Sequence, residues 1–166
     1  MLDIEFKIET EINQTDRNFA LSNLYEVDFY AWTQQQSEFL ALGKWEDLDI
    51  KNLVEEIESL GKQQKQELRN RLGILIGHLL KWDYQPELRG KSWKSTIREQ
   101  RKQVQLLLKD NPSLKSYLDE AAIDAYELGL ALVVRETPLD YQDLPSECPY
   151  AIAQILDPEF PIGLLS

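Results

Sequence analysis

Residues 50–84, IKNLVEEIESLGKQQKQELRNRLGILIGHLLKWDY, decide the fold. Leu53, Ile57, Leu60, Leu68, Leu72, Leu75, Leu79 and Trp82 recur mainly at helical spacing and form one apolar stripe. Asp49 is placed to cap the start of the helix. Pro86 marks the turn that ends it. Drawn straight, Ile50 to Tyr84 is a helix of about 52 Å at 1.5 Å per residue. Ser59, Leu60 and Gly61 mark the point where it would bend, because glycine weakens a helix interior. The stripe nevertheless stays in phase across Gly61, which favours one continuous helix.

Working outward toward the N-terminus, Asp28 to about Leu42 reads as a helix. It carries Phe29, Trp32, Gln36, Phe39 and Leu40 on one face, with Gly43 as its stop. On the other side, Ser92 is placed to cap a helix whose face is Trp93, Ile97, Val104, Leu107 and Leu108. Asn111 and Pro112 supply a cap and a first-turn proline for a last long helix. That helix presents Leu114, Tyr117, Leu118, Ala121, Ala125, Leu128 and Leu132 and ends near Arg135 or Glu136. Pro138, Pro145, Pro149, Pro158 and Pro161 confine the tail to irregular chain, with one short helix at about Pro149 to Leu156. Short loops between long amphipathic helices make antiparallel neighbours. The expected fold is all-α, an up-and-down bundle of about four helices over residues 23–166, closed by a wrapping C-terminal tail.

Residues 1–22 read differently. Leu2, Ile4, Phe6, Ile8 and Ile12 fall on one side and Asp3, Glu5, Lys7, Glu9 and Glu11 on the other, the period of an extended strand. No second strand of that quality follows. Such an arm either pairs with another chain, its own copy in a dimer included, or lies across the bundle.

Composition narrows the function classes. The chain has 166 residues and a net charge of −11, which argues against a surface made wholly for polyanions. The one cysteine, Cys148, allows no disulfide within the chain and fits a reducing compartment. No apolar run is long enough to cross a membrane. The acidic opening MLDIEFKIETEI is unlike a signal peptide. These features describe a soluble cytoplasmic protein without membrane contact.

Several blocks occur in a distinctive order: DFYAW (28–32), NLVEEIESLG (52–61), HLLKWDYQP (78–86), SWKSTIREQR (92–101), NPSL (111–114) and CPYAIAQILDPEF (148–160). In that order they resemble a bacterial family catalogued as domain of unknown function twenty-nine. The resemblance spans about Leu24 to Pro161 and leaves the arm outside. It implies an all-helical fold and no particular activity.

Three constellations carry possible chemistry. The first is a polar layer between helices, formed by Glu56, Gln64, Arg71, His78, Gln100 and Arg101, with Glu67 on the same seam. Buried charges need partners, so this layer either fixes helix register or tunes the only histidine, His78, with Glu56 as its orienting carboxylate. The second is a basic stretch. Residues 85–109 hold seven Lys and Arg against Glu87 and Glu99, an excess of five, so the remainder carries −16. Lys91, Trp93, Lys94, Arg98, Arg101 and Lys102 form its candidate binding face, with Trp82 and Tyr84 interleaved. The third, a metal centre, lacks ligands: one histidine, one cysteine and no Glu-x-x-His pair. Glu55, Glu56 and Glu58 read instead as an exposed acidic face. Cys148 has no nearby base in sequence to lower its pKa.

No cofactor is expected. The leading reading is a protein-interaction module without catalysis, antitoxin-like in its small size, acidity and extended arm. Its partner is another protein or its own copy. The alternatives are a nucleic-acid-binding module on the basic face and an enzyme centred on His78 with Glu56 and Arg101.

Overall fold

A computed structural model describes residues 24–161, and the N-terminal arm with its strand pattern lies outside them. The described chain is all-α, as expected, with no strand. It divides into two compact units, one ending at Gly61 and the other beginning at Lys62.

In the first unit, residues 24–27 form a helical turn before α1, Phe29–Ala41. Asp28 caps α1 by accepting the Ala31 N–H at 3.0 Å. Gly43 ends it in the left-handed region, at φ 67°, where a side chain would strain the backbone. A 3₁₀ turn, Trp45–Asp47, leads to Asp49. The Asp49 carboxylate then opens α2, Ile50–Tyr84, by accepting the Asn52 N–H at 3.3 Å and the Asn52 Nδ2 at 2.7 Å. It also accepts from the Trp32 indole at 3.2 Å, while the Asp49 N–H donates to Gln36 Oε1 at 2.8 Å. Trp32, Gln36, Leu48 and Asn52 are buried together around this polar hub. Tyr25 and Phe29 close over the Trp32 ring, with centroids 4.9 and 5.6 Å away. α2 runs through Ser59, Leu60 and Gly61 without interruption.

The second unit packs α2 against α3, Lys91–Asp110, and α4, Leu118–Glu136. Contacts between Arg71 and Gln100 and between Lys81 and Trp93 set α3 antiparallel to α2. Contacts between Arg69 and Asp124 and between Lys81 and Glu136 set α4 parallel to α2. The result is an up-down-up trio whose core holds Leu68, Leu72, Leu75, Leu79, Ile97 and Val104, among others. Glycines bring α2 and α4 close. A methyl carbon on Gly129 would lie 3.0 Å from the Gly77 nitrogen and 3.2 Å from the Gly73 oxygen.

Two helix ends differ from the sequence expectation. α3 begins at Lys91 with Gly90 at the cap position, and Ser92 lies inside the first turn, where its carbonyl accepts from Thr96. Asn111 and Pro112 open a 3₁₀ segment, Pro112–Tyr117, rather than α4 itself. The Asn111 amide turns back to donate to Leu107 O at 3.1 Å and so serves the end of α3. The tail carries the short helix α5, Ile152–Leu156, inside the expected span. Each helix of the trio holds the tail by one polar side chain. Tyr126 of α4 donates to Pro145 O at 2.5 Å, Asp83 of α2 accepts from Tyr150 at 2.7 Å, and Arg101 of α3 donates to Ile155 O at 2.8 Å.

Candidate binding surfaces and the polar side chains around them

α3 gathers four of its cations along one side. Lys91, Lys94, Arg98 and Lys102 recur every three or four residues and line one open groove with Ser95 and Glu99. Four positive side chains face one carboxylate there. Of the neighbouring aromatics, Tyr84 is exposed and the two tryptophans are engaged inside the unit. Trp82 is only 2 % exposed, with the Arg89 guanidinium and Lys94 Nζ at 5.1 and 5.8 Å from its ring. Trp93 is half-buried beneath Lys81 Nζ, at 4.8 Å. Arg101 turns inward from the same helix and is 3 % exposed. Its Nη1 and Nη2 are buried without a hydrogen-bond partner. Burial brings its pKa down to about 10, opposed by the charge of Asp157.

The residues expected in one polar layer do not gather in one place. Arg71 pairs with Glu67 at 2.8 Å and reaches buried Gln100 at 3.4 Å, which gathers the α2–α3 part of the layer. Gln64 is exposed. Glu56 belongs to the first unit, where it accepts from the Tyr25 hydroxyl at 2.5 Å. That bond, more than burial, pushes the Tyr25 pKa up to about 12.

His78 has different neighbours from those expected. It is buried, and its Nδ1 donates to Ile74 O one turn back at 2.9 Å. Burial lowers its pKa and Lys81 adds to that, while the Ile74 bond and Glu136 oppose. Lys81 is itself buried, and its ammonium pairs with Glu136 at 2.9 Å. Hydrogen bonds from Lys81 first and Arg135 second hold the Glu136 carboxyl below its usual range. Sequence reasoning missed this pair. A lysine in the last turn of a helix is ordinary, and nothing local links it to a carboxylate 55 residues on. Cys148 is half-buried, and burial pushes its thiol pKa up. Among the described residues no three His, Cys, Asp or Glu side chains gather as metal ligands would. No helix among them is long and apolar enough to cross a membrane.

The first unit presents another kind of surface. Of the sixteen large apolar residues exposed among the described residues, ten lie in residues 24–61. Four form a row on the first three turns of α2: Ile50 at 57 %, Val54 at 51 %, Ile57 at 66 % and Leu60 at 60 % exposure. Ile57 and Leu60 belong to the stripe read from the sequence, and the same stripe is fully buried at Leu68, Leu72 and Leu75. The pattern continues in phase along α2, but among the described residues nothing covers this row. Large apolar rows open to solvent are unusual on monomers and mark contact surfaces.

No curated protein and no solved structure matches this chain. A family model described as domain of unknown function DUF29 matches residues 24–161, and the chain belongs to that family.

Proposed function

We propose that this protein is a helical interaction module that works without catalysis of its own and binds a protein partner through the first three turns of α2. The observation that carries this reading is the open row Ile50, Val54, Ile57 and Leu60. Hydrating such side chains is unfavourable by roughly 25 cal/mol per Å² of apolar area, which a partner removes. Its apolar character fits a protein rather than a nucleic acid. An antitoxin-like role is one form this reading takes. The test compares proteins cross-linked in cells to wild type and to Ile57→Glu, with helix content checked by circular dichroism. A partner, or a second copy, held by wild type and lost from Ile57→Glu supports the proposal. Equal recovery by both, or none by either, rejects it.

A second reading places a polyanion, nucleic acid included, on α3. The groove lined by Lys91, Lys94, Arg98 and Lys102 favours it; the buried ring of Trp82 and the half-buried ring of Trp93 beneath Lys81 weigh against it, because base stacking needs exposed ring faces. It requires binding that falls steeply with salt and weakens in Lys94→Glu/Arg98→Glu. No binding to single- or double-stranded DNA or RNA at low salt removes it.

A further inference from the structure

We propose that the occupant of the α2 row is a second copy of this chain, lying antiparallel against residues 50–61. The proposal rests on the interaction reading above and names its partner.

Three features of this short segment make it complementary to itself. The first is phase. On a helix turning about 100° per residue, Ile50, Val54, Ile57 and Gly61 fall on one narrow side, separated by four, three and four residues. That is the spacing of a two-helix seam. Leu60 borders it on the side toward Leu53.

The second feature is size. Gly61 sits in the row with no side chain, and a methyl carbon placed there would meet nothing within 4 Å. An antiparallel copy in register sets Val54 against the partner's Ile57, and Ile57 against the partner's Val54. The same register sets each large Ile50 against the partner's Gly61. Large side chains therefore meet the one gap in the row, twice, by the two-fold symmetry of an isologous contact.

The third feature is charge. Lys51 and Glu58 border the row together on its other side, seven residues or two turns apart. Antiparallel pairing turns like flanks toward each other, so Lys51 lies near the partner's Glu58 and Glu58 near the partner's Lys51. Parallel pairing would instead turn these charges toward the partner's Leu53 and Leu60 and stack Ile50 on its own copy. Charge and size thus select the same orientation.

A contact of three turns is small, so the dimer should form and dissociate with concentration. Sedimentation of the full chain over a dilution series tests this directly. Dimer should give way to monomer on dilution. Ile57→Glu should raise the dissociation constant on the order of a hundredfold, because two carboxylates would be buried without partners. Lys51→Glu and Glu58→Lys should each weaken the dimer roughly fivefold, and the double swap should restore it. Register is tested by oxidation in a Cys148→Ser background. Val54→Cys mixed with Ile57→Cys should cross-link in high yield, and either alone should not.

Several outcomes overturn the proposal. One is a monomer at every concentration with helix content intact. Another is a dimer indifferent to Ile57→Glu. A third is equal cross-linking of every cysteine pair. If wild type stays monomeric but still holds another protein that Ile57→Glu loses, the second copy is wrong and the interaction reading stands. If neither is seen, both fall.

Discussion

The two units of this chain spend the same kind of residue in opposite ways. In the second unit the α2 stripe is sealed: Leu68, Leu72, Leu75 and Leu79 have no exposed surface. In the first unit the same helix keeps its apolar row in water, and the buried centre is polar, with Trp32, Gln36 and Asn52 gathered on the Asp49 carboxylate. An apolar core is stabilised by area and tolerates no gap. A polar hub is stabilised by direction, and its side chains are costly to bury without one another. The difference separates a part that holds shape from a part that presents a surface.

The sharpest way to break that contrast is to shorten one side chain in each half of the stripe. Leu75→Ala should cost about 3 kcal/mol, because it leaves a cavity in a packed core. Ile57→Ala should change the stability of dilute protein by no more than about 0.5 kcal/mol, since an exposed side chain leaves no cavity. Urea unfolding of both variants measures the difference. Equal losses would show that something already covers the α2 row.

Gly129→Ala comes next, at about 2 kcal/mol of destabilisation by the same measurement. The added carbon meets the Gly77 nitrogen and the Gly73 oxygen, which are backbone atoms and cannot turn aside. Helices α2 and α4 must separate instead. A neutral result would mean that the parallel pair is looser than its glycines imply.

The hub of the first unit predicts Asp49→Ala at roughly 1.5 kcal/mol, from a lost helix cap and lost bonds to Trp32 and Asn52. Asp49→Asn should keep part of this, because an amide oxygen still accepts. Fluorescence of Trp32 alone, with the other tryptophans replaced by phenylalanine, reports on that unit. If Ala and Asn behave alike, the carboxylate is not the organising group.

The elements were legible in the sequence because their signals are local. Asp28, Gly43 and Asp49 punctuate the chain through their own backbones, and the in-phase stripe carried α2 across Gly61. The burial of the stripe was not legible, because the sequence repeats an apolar pattern without saying what lies over it. Ile57 and Leu75 look alike in phase and differ completely in exposure. The basic face was half legible for a related reason. Helical phase turns Lys102 away from Arg101 but puts Lys94, seven residues before Arg101, on nearly the same side, and the inward turn of Arg101 depends on Ile155 O, 54 residues away. The partners of His78 were hidden in the same manner, since Glu136 arrives from α4. The close approach of α2 and α4 was visible in principle, as Gly73 and Gly77 four apart and Ala121, Ala125 and Gly129 at the same interval.

His78 gives the second unit a pH dependence. Its folded pKa is lowered from the ordinary 6.5, so the unfolded chain binds the proton more readily. Stability from this group is fully present above about 6.5 and is lost as pH falls from there through the lower folded value. Thermal melts between neutral and mildly acid pH should show that decline in wild type and a flatter profile in His78→Gln. Identical slopes would mean that His78 reaches water freely, and the enclosure drawn around it by Ile74, Lys81 and Glu136 would be wrong.

The smallest effect has the opposite sign. Gly61→Ala should stabilise the protein by about 0.5–1 kcal/mol, because alanine loses less backbone freedom than glycine on entering a helix. Within one chain the new methyl meets nothing within 4 Å, so in dilute protein no steric term opposes the gain. Placed beside Gly129→Ala, this makes one chemical change with two signs on neighbouring helices, decided by what lies within reach of one carbon. A loss at Gly61 would mean that the chain departs from helical geometry there in solution. Gly61 would then leave the line of Ile50, Val54 and Ile57, and the partner's Ile50 would find no gap in that line.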